Sequence, residues 1–287
     1  MSNSRDIWRR IRSIGSTAQI TKAMQMVAAS KMRKAQQAAL AGRPFVRLIY
    51  HFQREATTAT REFHHPLVEV RPIRKRAVIL IAADKGLCGA LNSNLFRMAS
   101  QFDPASTVFI TAGRKAAQFV AATRRQLIAE FAYGDSPTYP EARAIASFAR
   151  DLFLRKEVDE VRVLATRFVN TLTQHPVSLE YLPVGEIKGA EIPGAEPEIA
   201  PAATKETLFE PSAEAFLSYL LGHYLNIYIY QVLLNAKASE QSARMVSMKN
   251  STDNAEDLID DLTLEYNKLR QASITKELLE IAGGQAS

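Results

Sequence analysis

The chain has 287 residues, of which 47% are hydrophobic and 23% charged, with 12 Pro, 12 Gly and a single Cys. That composition belongs to a folded protein of one or two domains and excludes wholesale disorder, an internal disulfide and a multi-cysteine zinc site. The net charge of +6 divides unevenly: residues 1–62 carry 12 Lys+Arg against 3 Asp+Glu, residues 63–210 carry 18 against 17, and residues 211–287 carry 6 against 10. A basic beginning, a neutral middle and an acidic end argue against a nucleic-acid reading based on overall charge.

The start, MSNSRDIWRRIR, is charged and has no apolar segment behind it, so no secretory signal is expected. Its Arg-rich, amphipathic character mildly resembles a transit peptide. The apolar pattern, however, runs far past any cleavable length. Residues 4 to about 62 read as one long helix, with Ser4 as N-cap and Asp6 suiting the helix dipole. A 4-3 spacing runs through Ile7, Ile11, Ile14, Ala18, Thr21, Gln25, Ala28, Met32, Ala35 and Ala39. This is a heptad-like seam of mostly small residues, suited to a closely approaching partner helix. Pro44 is expected to kink or break the helix, and His64, His65 and Pro66 mark its end.

The next stretch changes character. Ala77–Ala83 is a continuous apolar run, as expected of a strand buried on both faces. Thr107–Thr111, Gln126–Phe131, Glu160–Phe168 and Val177–Leu182 read as further strands. Helices are expected after the turn DKGLCGALN, from Arg114 to Thr123 and over Pro140–Lys156. Alternating strands and helices argue for an open α/β sheet with right-handed crossovers. Residues 185–211, with three Gly and four Pro, read as a linker or irregular surface loop.

From Ser212 to about Ala282 the chain lacks Pro, and Gly283-Gly284 stops what reads as a second long helix. Some 70 residues at a rise of 1.5 Å make roughly 105 Å, too long to stand without a partner. The first helix is the obvious partner, and its opposite charge agrees. No charged residue occurs between Glu214 and Lys237, a length that could span a bilayer. Ser218, His223, Asn226, Gln231, Asn235 and four tyrosines favour a helix buried in protein instead. The expected organisation is thus helix (1–66), α/β domain (67–184), linker (185–211), helix (212–287), with the terminal helices forming an antiparallel coiled coil.

Several motifs carry possible chemistry. DKGLCGALN, Asp84–Asn92, sits where α/β folds place phosphate loops, but it lacks GxGxxG, and GxxxxGK[ST] occurs nowhere. It reads as a tight strand-to-helix turn, with Cys88 as a small buried residue rather than a nucleophile. Asp253, Glu256, Asp257, Asp260 and Asp261 form an acidic stripe without a His at ligand spacing, so it reads as solvated or partner-facing. His64-His65 point apart on a helix and make a poor chelate. The basic residues Arg9, Arg10, Arg12, Lys31, Arg33 and Lys34 suit either an acidic protein partner or solvent. The polar run Arg270–Glu280 suits either partner contacts or an exposed helix end.

Three segments together resemble one family. ITKAMQMVAASKMRKAQ (Ile20–Gln36), SMKNSTDNAEDLIDDLTLEYNKLRQASITKELLEI (Ser247–Ile281) and DKGLCGALN resemble the gamma subunit of F-type, proton-translocating ATP synthases, in order and over essentially the whole chain. The resemblance implies a coiled coil of the terminal helices with an inserted Rossmann-like α/β domain. It implies a central-stalk rotor that couples proton flow through a membrane ring to ATP synthesis or hydrolysis in a catalytic head. The chain itself would be non-catalytic, would hold no cofactor or metal, and would leave ATP, ADP and Mg to the alpha and beta subunits. Implied partners are three alpha and three beta subunits, an epsilon subunit and the ring of c subunits. One copy per complex is implied, with no nucleic acid and only indirect membrane contact. Met24, Lys31, Arg33, Lys34, Arg270, Gln271, Thr275 and Glu277 match positions that face the beta subunits in the family, with the three basic residues meeting an acidic lever. A second cysteine is lacking, so the thiol switch of chloroplast members is not expected. A bacterial enzyme on the cytoplasmic face of the inner membrane is implied. The residues leave two other functions: an enzyme using the α/β domain to bind a nucleotide or phosphorylated substrate, which the missing phosphate fingerprint argues against, and a coiled-coil nucleic-acid or scaffold protein with a basic arm.

Overall fold

The computed structural model describes residues 4–59, 65–184 and 212–284; the side chains of 43, 45–47, 49–59, 213, 276, 277 and 280–284 lie outside the description. The expected linker 185–211 and His64 therefore lie outside it. Ten elements follow in order: α1 (Ser4–Ala59), β1 (Arg76–Ile81), α2 (Leu91–Ala99), β2 (Thr107–Ala112), α3 (Arg114–Ala122), β3 (Gln126–Phe131), α4 (Tyr139–Leu154), β4 (Glu160–Phe168), β5 (Gln174–Leu182) and α5 (Ala213–Gly284). Two compact units result, Met1–Ala28 with Arg244–Ser287, and Ala29–Ala243.

In the larger unit the sheet order is β3-β2-β1-β4-β5. The three pairings that involve β1 or β2 are parallel, while β4 and β5 are antiparallel. The last two strands are joined by a tight turn in which the Asn170 side chain accepts from the Leu172 and Thr173 amides. The strand period of two sorts the core into two layers. Val78, Leu80, Phe109 and Leu164 face one way and pack with Leu95 and Ala99 of α2 and Ala116 and Val120 of α3. Ala77, Ile79, Ile81, Val108, Ile110, Val161 and Val163 face the other way, onto α4 and the Leu225–Ala236 part of α5. β1 after Arg76 and all of β2 are buried because they are covered on both faces, and both strands are mostly apolar. β3, at the sheet edge, is mostly exposed.

The uncharged stretch before Lys237 is the part of α5 enclosed by the second layer, with Leu225, Ile229, Val232, Leu233 and Leu234 almost fully buried. No described helix is long and apolar enough to cross a membrane. α1 runs without interruption through Pro44, so the break offered as one outcome there does not occur. Pro44 is exposed on α1, and its ring Cδ stands where an amide hydrogen would otherwise donate along the helix.

In the smaller unit α1 and α5 lie antiparallel. Gly15 approaches the Ile259 side chain and Thr21 meets Thr252, so one number rises as the other falls. Every expected seam position of α1, from Ile7 to Ala39, is buried or half-buried. α5 answers with Met245, Met248, Thr252, Ala255, Ile259, Leu262, Tyr266 and Leu269, again in strict 3-4 alternation. Two matched heptad stripes are the requirement for a coiled coil.

Candidate functional site

The surface of the helical pair is the first candidate. In the smaller unit the seam is closed by small and apolar side chains and by one hydroxyl pair, Thr21 Oγ1 to Thr252 Oγ1 at 2.7 Å. Each hydroxyl also lies within reach of a carbonyl of its own helix, Ala18 and Met248 respectively, so one hydroxyl donates across the seam while the other donates to its carbonyl. With the seam so closed, the charges turn outward. Asp253, Glu256, Asp257, Asp260 and Asp261 are all exposed, as are Arg9, Arg10 and Arg12. The attraction expected between a basic and an acidic helix is therefore not realised as direct ion pairs among the described residues; the ion pair of this region is local, Arg9 on Asp6. The seam geometry accounts for this, since charged side chains occupy outer positions of the heptad on both helices.

Of the residues expected to face partners, Met24 is half-buried beside the seam, while Arg270, Gln271 and Thr275 are exposed on α5. Glu277 is in α5 with its side chain outside the described residues. The antiparallel register sets Arg270 opposite the start of α1, so Met24 lies about 30 Å further along the pair. Sequence reasoning missed three large apolar side chains on the outer face, Ile20, Met26 and Val27, which are 58, 63 and 54% exposed. Their signal was visible as apolar residues falling off the 4-3 seam.

In the larger unit Arg33 and Lys34 are exposed. Lys31 is engaged within the chain: its ammonium donates to Asp135 Oδ2 at 2.5 Å. The other oxygen of Asp135 lies 3.3 Å from the Lys237 ammonium of α5, which also donates to Glu240 at 3.0 Å. The hydrogen bond from Lys31, helped by the charge of Lys237, lowers the Asp135 carboxyl to about pKa 2.

The second candidate is the carboxyl end of the neighbouring parallel strands β1 and β4, where α/β folds bind ligands. The Ser239 hydroxyl of α5 donates to the Thr166 carbonyl at the end of β4, and Ser242 donates to Thr171. Ala243 packs on Ala83, Cys88 and Leu91. Tyr133, buried, donates to the Ala82 carbonyl at the end of β1. Asp84–Asn92 is held as a turn, with Asp84 accepting from the Arg114 amide and Asn92 from the Ala83 amide. Leu87 and Gly89 take positive φ to make it. Cys88 is buried in it, as expected of a small packing residue. Among the described residues no group of His, Cys, Asp and Glu is arranged to hold a metal ion.

Comparison with known proteins follows this geometry. Residues 3–287 match the model of the ATP synthase family. The chain is 46% identical to the ATP synthase gamma chain of Opitutus terrae, over 99% of this chain and 98% of that one. It is 43% identical to the ATP synthase gamma chain of Methylacidiphilum infernorum, over 99% of each. Among solved structures, a rotor chain of the Euglena gracilis mitochondrial ATP synthase is similar at a TM-score of 0.66 and 16% identity, covering 94% of this chain and 98% of that one. A chain of the Tetrahymena thermophila mitochondrial ATP synthase central stalk and c-ring is similar at a TM-score of 0.61 and 24% identity, covering 80% and 98%. These two likenesses speak for the fold.

Proposed function

The chain belongs to the ATP synthase family, as a gamma chain, and from that premise we propose that it is the central-stalk rotor of a proton-translocating ATP synthase. The observation that carries this reading is the antiparallel pairing of α1 and α5 along matched heptad stripes. A shaft must resist bending and twisting, and two long helices locked seam to seam supply that resistance where one helix would not. Its outer surface is asymmetric, basic along α1 and acidic along α5. Such a surface makes different contacts with identical subunits placed around it. Only differential contact of that kind shifts the populations of their conformations.

In this reading the chain carries out no chemistry. ATP, ADP and Mg bind to the alpha and beta subunits, and the chain's part is to turn proton flow into sequential conformational change. It is present in one copy, with three alpha and three beta subunits around it and with epsilon and the c-subunit ring as further partners. It lies on the cytoplasmic face of a bacterial inner membrane as a peripheral subunit. Met24, Arg33, Lys34, Arg270, Gln271, Thr275 and Glu277 serve as contacts to the beta subunits, with Lys31 beside them. Ile20, Met26 and Val27 add an apolar face to the same surface.

Reconstitution tests this directly. Mixed with alpha and beta subunits, the chain is expected to assemble at one copy per complex and to restore cooperative ATP hydrolysis. Hydrolysis by alpha and beta alone, unaltered by the chain, would refute the reading.

A further inference from the structure

The α/β domain meets α5 mainly through apolar packing, which is strong but does not fix direction. One polar feature at that boundary is directional. Lys237 on α5 is 1% exposed. Its ammonium lies 3.3 Å from Asp135 Oδ1, 3.0 Å from Glu240 Oε2 and 5.2 Å from the centre of the Tyr133 ring. Asp135 Oδ2 takes the ammonium of Lys31 from α1 at 2.5 Å. A single carboxylate thus bridges both long helices. The loop that carries it is held by hydrogen bonds on both sides of Asp135. Tyr133 is tied to the end of β1 through Ala82, and the Gly134 and Thr138 amides both donate to the Glu141 carboxylate in the first turn of α4. Both ion pairs of Asp135 join the α/β domain to a long helix.

A buried lysine is a poor choice for stability alone, since an apolar side chain of its size would pack there at lower cost. Its charge gives the contact an orientation. We propose that Asp135, Lys237 and Lys31 form an ionic joint that fixes the α/β domain to residues 29–59 of α1 and 213–243 of α5 and transmits torque between the domain and those helices. Asp135 and Lys237 are thereby positioning residues for the rotary reaction; this rests on the rotor reading above.

The test uses the intact complex in proteoliposomes, measuring ATP hydrolysis and ATP-driven proton uptake on the same sample. Asp135→Asn is expected to leave hydrolysis and assembly intact and to lower protons moved per ATP by half or more. Asp135→Glu, which keeps the charge, is expected to hold the wild-type ratio, and Lys237→Met to match Asp135→Asn. A wild-type ratio in Asp135→Asn, or an equal loss in Asp135→Glu, overturns the joint. Should Lys237→Met fail to assemble, the half-exposed Asp135 variants decide the question alone. A wild-type complex that hydrolyses ATP without pumping overturns the rotor reading itself, and with it the joint, and is told apart by that control.

Discussion

Asp135 keeps its charge to unusually low pH because Lys31 donates to it and Lys237 stands on its other side. A carboxyl whose pKa is lowered on folding stabilises the fold fully above its unfolded value of 3.8 and loses that contribution as pH falls towards about 2. Acid unfolding of the chain followed by circular dichroism should therefore show a component between about pH 4 and pH 2 that is missing in Asp135→Asn. In the seam, Thr252→Val removes the partner of the Thr21 hydroxyl and is expected to cost about 1 kcal/mol. Amide hydrogen exchange around Thr21 should then speed up about fivefold. Neither pairing was legible in the sequence. Lys31 could be placed on a helix face, and only the folded loop shows that Asp135 comes to meet it from 104 positions away. Thr21 stood among the seam residues, but its bond to Thr252 depends on the register of two segments far apart in the chain.

Local pattern fixed most elements to within a few residues. β3 and β4 have the expected ends, and the seam of α1 was readable because a heptad repeats over ten positions. Two features were not readable in this way. β5 begins at Gln174 rather than Val177 because it pairs antiparallel with β4 from Phe168 onward, a register set by the partner strand. Pro44 alone suggested a kink or a break, whereas α1 stays helical through it. The turn between β2 and α3 gives a sharper test. Gly113 has φ +94, and a Cβ there would run into the Ala82 carbonyl. Gly113→Ala is expected to destabilise the domain by about 2 kcal/mol or more, through a disallowed backbone and a backbone clash together. Urea denaturation followed by tryptophan-independent circular dichroism measures it; an unchanged midpoint would contradict the geometry.

Across the whole molecule the division of charge takes on a clearer meaning. The basic and acidic segments do pair as helices, yet Arg9, Arg10 and Arg12 and the acidic stripe Asp253, Glu256, Asp257, Asp260 and Asp261 stay on the outside. Reversing Arg33 and Lys34 together with Lys31 is expected to weaken the coupling of ATP hydrolysis to proton pumping, read as protons moved per ATP; unchanged pumping would remove those residues from the contact surface. At the carboxyl ends of the parallel strands, α5 bonds to Thr166 through Ser239 and packs Ala243 on the Ala83–Leu91 turn. The central claim is that this chain turns. A fluorescent probe on Gln101→Cys, an exposed position of the α/β domain, in single surface-held complexes with alpha and beta subunits, tests it most directly. On addition of ATP the probe should rotate in one direction with three stops per turn; a probe that stays still while the same complexes hydrolyse ATP would contradict the account.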